Sequence, residues 1–137
     1  MSDISRHDEV SIGRLIRGVY EAFAEGRVDG IEEALVSDCT VWDLFTPQLI
    51  RGREERARFH ALDQGQMHSR GPLSWRLGEL LVDVWGDVAV ARYILEFEYL
   101  PPRPFAGSVR ITDVLRRLDR RWLIAHHHEG LVPAGPP

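Results

Sequence analysis

The sequence contains no lysine, and all 17 of its basic residues are arginine. Without a lysine amine the chain cannot form a Schiff base, which excludes pyridoxal-phosphate chemistry through this protein. The motifs GxGxxG, GxxxxGK[ST] and GxSxG are also missing. The sequence therefore gives no indication of a dinucleotide-binding fold, a P-loop or a nucleophile elbow. These absences leave acid–base chemistry or plain binding, and they predict that no cofactor is used.

Cysteine is scarce as well. Cys39 is the only cysteine, which excludes an internal disulfide and a Cys-rich zinc site. His126-His127-His128 is the other feature of this kind, but on a strand the middle side chain points away from its two neighbours. The three cannot converge on one ion unless the strand bulges, and no spaced motif supplies a further ligand. We therefore expect no metal site.

Long apolar runs and an excess of positive charge are missing too. No stretch of about 18 apolar residues occurs, and the start MSDISRHDEV is polar. The net charge of −4 means that the chain has no excess of positive charge with which to bind nucleic acid. We expect a cytoplasmic protein that binds neither membranes nor nucleic acid. Its 137 residues, 44% of them hydrophobic, predict a single domain over 1–137 with a loose tail over 131–137.

The periodicity of apolar residues changes halfway along the chain. It is helical from about residue 8 to Glu25, where Gly26 is placed to end the helix. A short second helix capped by Asp29 and reaching about Ser37 follows, and then a third over 52–63. From residue 73 the period is two, which predicts strands over 73–84, 87–100, 108–118 and 121–130. Helices followed by strands are typical of an α+β fold with the helices packed on a curved antiparallel sheet.

Asp43 interrupts the segment CTVWDLF, which otherwise has the composition of a strand. Alternation places Asp43 on one face with Cys39, Val41 and Phe45. If that face is inward, burial raises the pKa of the carboxyl group and makes it a stronger base. The alternative is a structural aspartate that accepts hydrogen bonds from backbone N–H groups.

Asp113 is a second acidic residue in an apolar strand, RITDVLRR. It shares a face with three apolar side chains, Val109, Ile111 and Leu115. A buried carboxyl group there is a candidate for acid–base chemistry. The alternative is an ion pair across the sheet with an arginine such as Arg92 or Arg110.

Three segments resemble the NTF2-like superfamily, and within it the ketosteroid isomerases and SnoaL-like polyketide cyclases. They are GRVDGIEEALVSDCTVWD, IRGREERARFH and RITDVLRRLDRRWLIAHHHEG. The resemblance implies a cone of N-terminal helices packed on a curved antiparallel sheet, an apolar pocket between them, and a homodimer through the outer sheet face. This fold serves isomerases, cyclases, dehydratases, epoxide hydrolases and non-catalytic carriers alike.

The resemblance also implies roles for individual residues. It places Asp43 at the position of the general base and Asp113 at that of the aspartic acid which binds the developing oxyanion. His60 and His127 are further candidates for acid, base or orienting roles. Alternation leaves the inward side of the last strand open, and the resemblance favours His127 and Glu129. It implies a substrate site lined by Val19, Phe23, Trp42, Phe45, Phe59, Trp75, Tyr93, Leu95, Phe97, Ile111 and Glu129.

The tyrosines of the steroid isomerases are not retained in place. Val19 stands where the oxyanion-binding tyrosine belongs, with Tyr20 about 100° further round the helix. Leu35 replaces the tyrosine of the second helix. Since losing one oxyanion donor costs about 10²–10³ in rate, we expect a different substrate or reaction.

The resulting hypothesis is a cofactor-independent acid–base enzyme that acts next to a carbonyl group of a hydrophobic, polyketide- or steroid-like small molecule. Isomerisation, cyclisation and dehydration all fit it. One alternative is a non-catalytic ligand-binding or dimerisation module. Another is an epoxide hydrolase, which would require an arginine such as Arg92 or Arg110 between the two carboxylates.

Overall fold

The computed structural model describes residues 3–136, without the side chains of residues 3–5 and of residue 68. The helices in this part of the chain are α1 (Asp3–Glu25), α2 (Val28–Glu32) and α3 (Gly52–Gln66), and a short 3-10 turn spans Met67–Ser69. The strands are β1 (Leu35–Trp42), β2 (Ile50–Arg51), β3 (Leu73–Leu77), β4 (Leu81–Trp85), β5 (Val88–Tyr99), β6 (Phe105–Leu118) and β7 (Arg121–Leu131). The predicted α+β fold, with N-terminal helices on a curved antiparallel sheet, is confirmed.

All seven strands form one sheet in the order β2-β1-β7-β6-β5-β3, and β4 pairs with β5 beside β3. The strands β5, β6 and β7 are consecutive and antiparallel, as the sequence predicts. The predicted strand over 73–84 is instead divided into β3 and β4, which both pair with β5. The Gly78 N–H, which lies between them, donates to the Ile94 carbonyl at 2.8 Å.

The helices differ from the prediction mainly at their ends. Gly26 ends α1 in the left-handed region at a φ of 72°, which glycine adopts at little cost. The second helix is shorter than expected and stops at Glu32, because Leu35 already begins β1. α3 continues to Gln66.

The hydrophobic core lies between α1 and the inner face of the sheet. Ile12 and Ile16 of α1 and Leu115 of β6 are fully buried. Burying such a side chain contributes roughly 1.5–3 kcal/mol to folding. The packing fixes which face of each central strand points toward the helix.

A β-bulge in β7 decides the direction of its histidines. Leu115 pairs with Ile124, whereas the preceding Val114 pairs with His126, so Ala125 is an extra residue. Such a residue reverses the alternation beyond it. Ile124 before the bulge and His127 after it therefore lie on the same side of the sheet.

This bulge determines which side of β7 faces inward, a point that strict alternation left open. Trp122 and Ile124 are buried against the core, and His127 and Glu129 face inward with them. The inward placement implied by the family resemblance is therefore the one observed.

Beyond β7, residues 132–136 are exposed and form no helix or strand, whereas Leu131 still belongs to β7. Residue 137, the last of the predicted loose tail, lies outside the described residues. None of the described helices is long and apolar enough to cross a membrane.

Candidate functional site

Asp43 lies one residue past the end of β1, in a tight turn. Its Oδ2 accepts hydrogen bonds from the Phe45 N–H at 2.9 Å and from the Thr46 hydroxyl at 3.0 Å. The predicted strand through Phe45 is therefore wrong, because Asp43 bonds the backbone two residues ahead and turns the chain. Burial and the nearby carboxylate of Glu129 raise the pKa of Asp43. Asp43 thus combines a structural role with an unusually basic carboxylate.

Glu129 of β7 stands beside Asp43 because β1 and β7 pair in parallel. Its Oε1 accepts the Leu44 N–H at 2.9 Å and its Oε2 accepts His127 Nε2–H at 3.0 Å. Burial alone would raise the pKa of Glu129, but the hydrogen bond and charge of His127 outweigh it and the pKa is lowered. Glu129 is the ionised member of the pair, and a protonated Asp43 can donate to it.

His127 is held between two carboxylates. Its Nδ1 lies 2.6 Å from Oδ1 of Asp113, a residue that is only 1% exposed. Burial alone would lower the pKa of His127, but the charge of Asp113 and the hydrogen bonds to Asp113 and Glu129 hold it well above its usual value. Both ring nitrogens face acceptors, so the ring is an imidazolium that donates in both directions.

Two tyrosines extend this series of hydrogen bonds into the core. The Tyr93 hydroxyl donates to Oδ2 of Asp113 at 2.7 Å, and the Tyr20 and Tyr93 hydroxyl oxygens lie 2.8 Å apart. Because Tyr93 has a single hydroxyl hydrogen, Tyr20 is the donor in the second bond. Burial is the larger cause and the charge of Asp113 the second, and together they raise the pKa of both hydroxyls well above the ordinary value. Both tyrosines are therefore neutral donors.

The result is one line of hydrogen-bonded side chains, which we call the acid–base chain. It runs from the half-buried Asp43 at its outer end through Glu129, His127, Asp113 and Tyr93 to Tyr20. Only its outer end is accessible, because both oxygens of the buried Asp113 are occupied by His127 and Tyr93. Such a chain can accept a proton at Asp43 and supply a compensating positive charge at His127.

His60 does not take part in this chain. It lies on α3, where its Nε2 is 3.7 Å from Glu32, and Glu32 also binds the buried Arg56. Burial lowers the pKa of His60. Its expected place beside Asp43 is not what the structure shows, because α3 directs the side chain toward α2.

Two of the predicted substrate-site residues face away from the interior. Trp42 pairs with His128, is 39% exposed, and lies on the outer face of the sheet. Phe45 is 70% exposed because the Asp43 turn moves it out of the strand. Their expected inward positions are therefore corrected.

The rest of the predicted wall divides between core and half-buried positions. Tyr93 and Ile111 are buried, and Val19, Trp75 and Leu95 pack against the core. Phe23 of α1 and Phe59 of α3 are half-buried, and the Phe59 ring contacts His60. Side chains fill the region behind Asp113, where a hollow was expected.

Two surface pockets stand out among the described residues, and neither is lined by Asp43, Asp113 or His127. One, of about 660 Å³, lies between α1 and the β6–β7 turn. The other, of about 570 Å³, lies between the α1–α2 junction and α3, and His60 is part of its wall. Both pockets therefore lie away from Asp43 and Asp113, where the resemblance implied an apolar pocket.

The outer end of the acid–base chain carries a cluster of aromatic rings, which we call the mouth aromatics: Phe45, Phe97, Tyr99 and Phe105. The Phe105 ring lies 6.0 Å from that of Phe45 and 5.5 Å from that of Phe97, centroid to centroid. Phe97 and Tyr99 are 6.1 Å apart, and Arg70 stacks over Tyr99 at 4.9 Å. Phe45 and Phe105 are half or more exposed, which places apolar surface directly beside Asp43.

The outer histidines have neutral partners instead. His126 Nδ1 lies 2.7 Å from the Thr40 hydroxyl, and the His128 ring is 6.5 Å from that of Trp42. Burial, followed by the charge of His128, lowers the pKa of His126. Among residues 3–136 no three His, Cys, Asp or Glu side chains are grouped as metal ligands would be.

Sequence reasoning missed Tyr20, Tyr99 and Phe105. A signal for Tyr20 was present, because Ile12, Ile16 and Tyr20 recur every four residues and so share the buried face of α1. Tyr20, the residue after Val19, is thus the tyrosine of α1 that faces the core. The place of Phe105 depends on the Asp43 turn, which no periodicity predicts.

A family model for the SnoaL-like domain matches residues 12–134. The chain belongs to the SnoaL-like domain family. Its membership of the NTF2-like superfamily is thereby confirmed. None of the functionally curated proteins matches this SnoaL-like chain.

Solved structures agree with this assignment. An NTF2-like protein of unknown function from Pseudomonas putida superimposes on the SnoaL-like chain with a TM-score of 0.82 at 23% identity, covering 93% of this chain and 88% of the other. A candidate dehydratase from Streptomyces avermitilis gives 0.81 at 21% identity, covering 94% and 99%. A candidate ketosteroid isomerase from Shewanella frigidimarina gives 0.72 at 20% identity, covering 86% and 93%. Identities of this size show a shared fold.

Proposed function

We propose that this SnoaL-like protein is a cofactor-independent acid–base enzyme that removes a proton from the carbon next to a carbonyl group of a hydrophobic small molecule. The observation that carries the proposal is the position of Asp43 at the outer end of the acid–base chain, next to Glu129 and His127, where burial and the charge of Glu129 raise its pKa. A base of raised pKa at an accessible position is what proton abstraction from carbon requires.

The proposed step moves one proton between the substrate and Asp43. The Asp43 carboxylate takes the proton, the C–H bond breaks, and its electron pair moves to the carbonyl oxygen to form an enolate. The neutral Asp43 carboxyl group then donates a hydrogen bond to Glu129. Return of the same proton to another carbon isomerises the substrate. Attack by the enolate carbon on a second carbonyl group closes a ring, and the alkoxide that forms takes the proton from Asp43. Loss of a β-hydroxyl group, which takes the same proton and leaves as water, dehydrates the substrate.

His127 supplies the positive charge in this mechanism. It offsets the charge of Glu129 while Asp43 and the substrate exchange the proton. Asp113 acts through His127, because its own oxygens are buried and occupied. Asp113 is therefore proposed as a positioning residue, in place of the direct oxyanion contact that the resemblance implies.

The mouth aromatics support a hydrophobic, ring-containing substrate. Exposed aromatic rings favour flat apolar ligands by burying area and by stacking. Phe45 lies two residues from Asp43, so a substrate that covers these rings would bring its carbonyl group near the base. Polyketide- or steroid-like molecules have this character.

Two observations favour a non-catalytic module as the second candidate. The bonds to Asp43 from Phe45 and Thr46 give this residue a purely structural use, and the interior behind it is filled. Epoxide hydrolysis lacks such support, because His127 occupies the place between the carboxylates and Arg92 pairs with Asp83.

Deuterium exchange separates the two candidates. Exchange at the carbon next to the carbonyl group of a hydrophobic cyclic ketone is followed by NMR in the wild type and in Asp43→Asn. We expect Asp43→Asn to lower the rate by about 10²–10⁴, the usual contribution of a general base. Asp38→Asn, at an exposed position of β1, is the matched control. Exchange that is unaffected by Asp43→Asn in a folded protein would favour the non-catalytic module.

A homodimer through the outer sheet face is also proposed. Leu81, Trp85 and Ile94 on that face are each more than two fifths exposed. Light scattering that gives the mass of one chain would contradict it. The cytoplasmic location stays a prediction, which fractionation of the producing cell would test.

A further inference from the structure

The pocket between α1 and the β6–β7 turn lies far from the acid–base chain. Its wall consists of His7, Asp8, Ser11, Arg14, Leu15, Arg117, Arg120, Arg121 and Trp122, and we call it the arginine cleft. Trp122 lies near the start of β7 and Glu129 seven residues later, which corresponds to about 20 Å along a strand. The arginine cleft is therefore a separate feature of the molecule.

The helix side of the cleft follows from the spacing of its residues. His7, Ser11 and Arg14 recur at intervals of four and three along α1, so they project from one side of the helix. Opposite them, Asp119 and Arg120 have positive φ angles of 49° and 68°, which form the tight turn between β6 and β7. This turn brings Arg120 and Arg121 to face the helix.

Charge sets the cleft apart from the rest of the protein. Its wall carries four arginines and one aspartate, whereas the chain as a whole has a net charge of −4. Arg117 has a structural task, since it binds Asp8 at 3.1 Å and Asp87 at 3.0 Å and stacks over Trp122. Asp8 is further engaged by the Trp122 indole N–H at 3.1 Å. The one acidic group of the wall is thus already neutralised.

The other three arginines have no such task. Arg14, Arg120 and Arg121 are exposed and form no ion pair with the side chains that the structure describes, which are those of residues 6–67 and 69–136. Guanidinium groups that line one pocket repel one another, and an anion bound between them would offset that repulsion. Guanidinium groups bind phosphate oxygens through paired N–H donors, and Ser11 and His7 add neutral donors.

We propose that the arginine cleft binds the diphosphate group of a small molecule. A diphosphate carries more charge and more acceptor oxygens than a single phosphate, which suits a wall with three unpaired guanidinium groups. The volume of about 660 Å³ lies within the range of roughly 300–1,000 Å³ for small-molecule sites and leaves room for an attached organic group.

Isothermal titration calorimetry with inorganic pyrophosphate tests the proposal. We expect binding that is tighter than that of inorganic phosphate and that weakens between 50 and 200 mM NaCl, because this rise in ionic strength reduces the screening length about twofold. The double variant Arg14→Gln, Arg121→Gln should bind pyrophosphate about 100-fold more weakly, from about tenfold for each charged hydrogen-bonding group. Both side chains are exposed, so the fold is retained, which circular dichroism checks.

Arg58→Gln is the matched control. Arg58 is an exposed arginine of α3, and its one ion pair with a described side chain is a loose one of 3.6 Å with Glu54. Its substitution should leave pyrophosphate binding unchanged. Equal binding by the wild type and the double variant, or no binding by either, would overturn the proposal. Tighter binding of a polyglutamate peptide than of pyrophosphate would overturn it too, in favour of an acidic protein partner.

Discussion

His127 and His126 are neighbours in the same strand, yet their surroundings have opposite effects on them. His127 lies inward between Asp113 and Glu129, and its pKa is raised well above the usual value. His126 lies on the outer face beside the Thr40 hydroxyl and His128, and its pKa is lowered. Both are partly removed from water, so burial does not explain the difference.

The neighbouring charges explain it. Burial lowers the pKa of both histidines, and for His127 the two nearby carboxylates outweigh that effect. The bulge at Ala125 decides which histidine receives the carboxylates, because it turns His127 toward Asp113. One extra backbone residue therefore determines where the protein keeps its buried positive charge.

Removal of Asp113 should have the largest effect on this comparison. Asp113→Ala leaves the buried imidazolium of His127 without its closest partner, and losing one member of a buried pair costs about 3–5 kcal/mol of the free energy of unfolding. Thr40→Ala removes the corresponding partner of His126 and should cost about 1 kcal/mol. Urea denaturation measures both. Equal losses would show that the two histidines are held alike.

The pH dependence of stability should have opposite signs for the two histidines. His127 binds its proton more tightly when folded, so its contribution is complete below the unfolded pKa and is lost as pH rises through the folded pKa. Between the unfolded and the folded pKa of His127, each pH unit lowers the free energy of unfolding by about 1.4 kcal/mol at most. For His126 the folded pKa is the lower one, so between the two pKa values stability rises with pH.

Difference curves isolate these contributions. The free energy of unfolding of His127→Gln, subtracted from that of the wild type at each pH, should fall above neutral pH. The same subtraction for His126→Gln should rise with pH on the acidic side. Curves of the same sign would contradict the environments described above.

A smaller effect is expected from the tyrosine behind Asp113. Tyr93→Phe removes the hydroxyl that joins Asp113 to Tyr20, which should cost about 1–3 kcal/mol because two buried partners lose a bond. Tyr99→Phe is the matched control, since the Tyr99 hydroxyl makes no hydrogen bond within residues 3–136 and the change should stay within about 0.5 kcal/mol. Thermal unfolding of both variants checks the difference. A loss of stability in Tyr93→Phe as small as that in Tyr99→Phe would exclude a continuous acid–base chain.

The fold could be predicted from the sequence to a large extent. The change from helical to alternating periodicity near residue 73 separates the helices from the sheet, and Gly26 marks the end of α1. The division of 73–84 into β3 and β4 was not predictable, because both pieces alternate in the same way. The parallel pairing of β1 with β7 is a long-range contact that leaves no local pattern.

The site was predictable only in part for the same reason. Asp43 and Asp113 stand out as acidic residues in apolar strands, which is a local signal. The contact of Glu129 with Leu44 depends on the β1–β7 pairing, and the direction of His127 depends on the bulge. His60 was misplaced because a polar residue on a helix gives no indication of which neighbour it will meet.

Titration of the Asp43 carboxyl group by carbon-13 NMR tests the acid–base account most directly. The account predicts that Asp43 titrates above the ordinary range of an aspartate in the wild type. In Glu129→Gln the pKa of Asp43 should fall, because the neighbouring negative charge is gone, whereas the exposed Glu98→Gln should leave it unchanged. An Asp43 that titrates at or below the ordinary value, or that does not respond to Glu129→Gln, would contradict it.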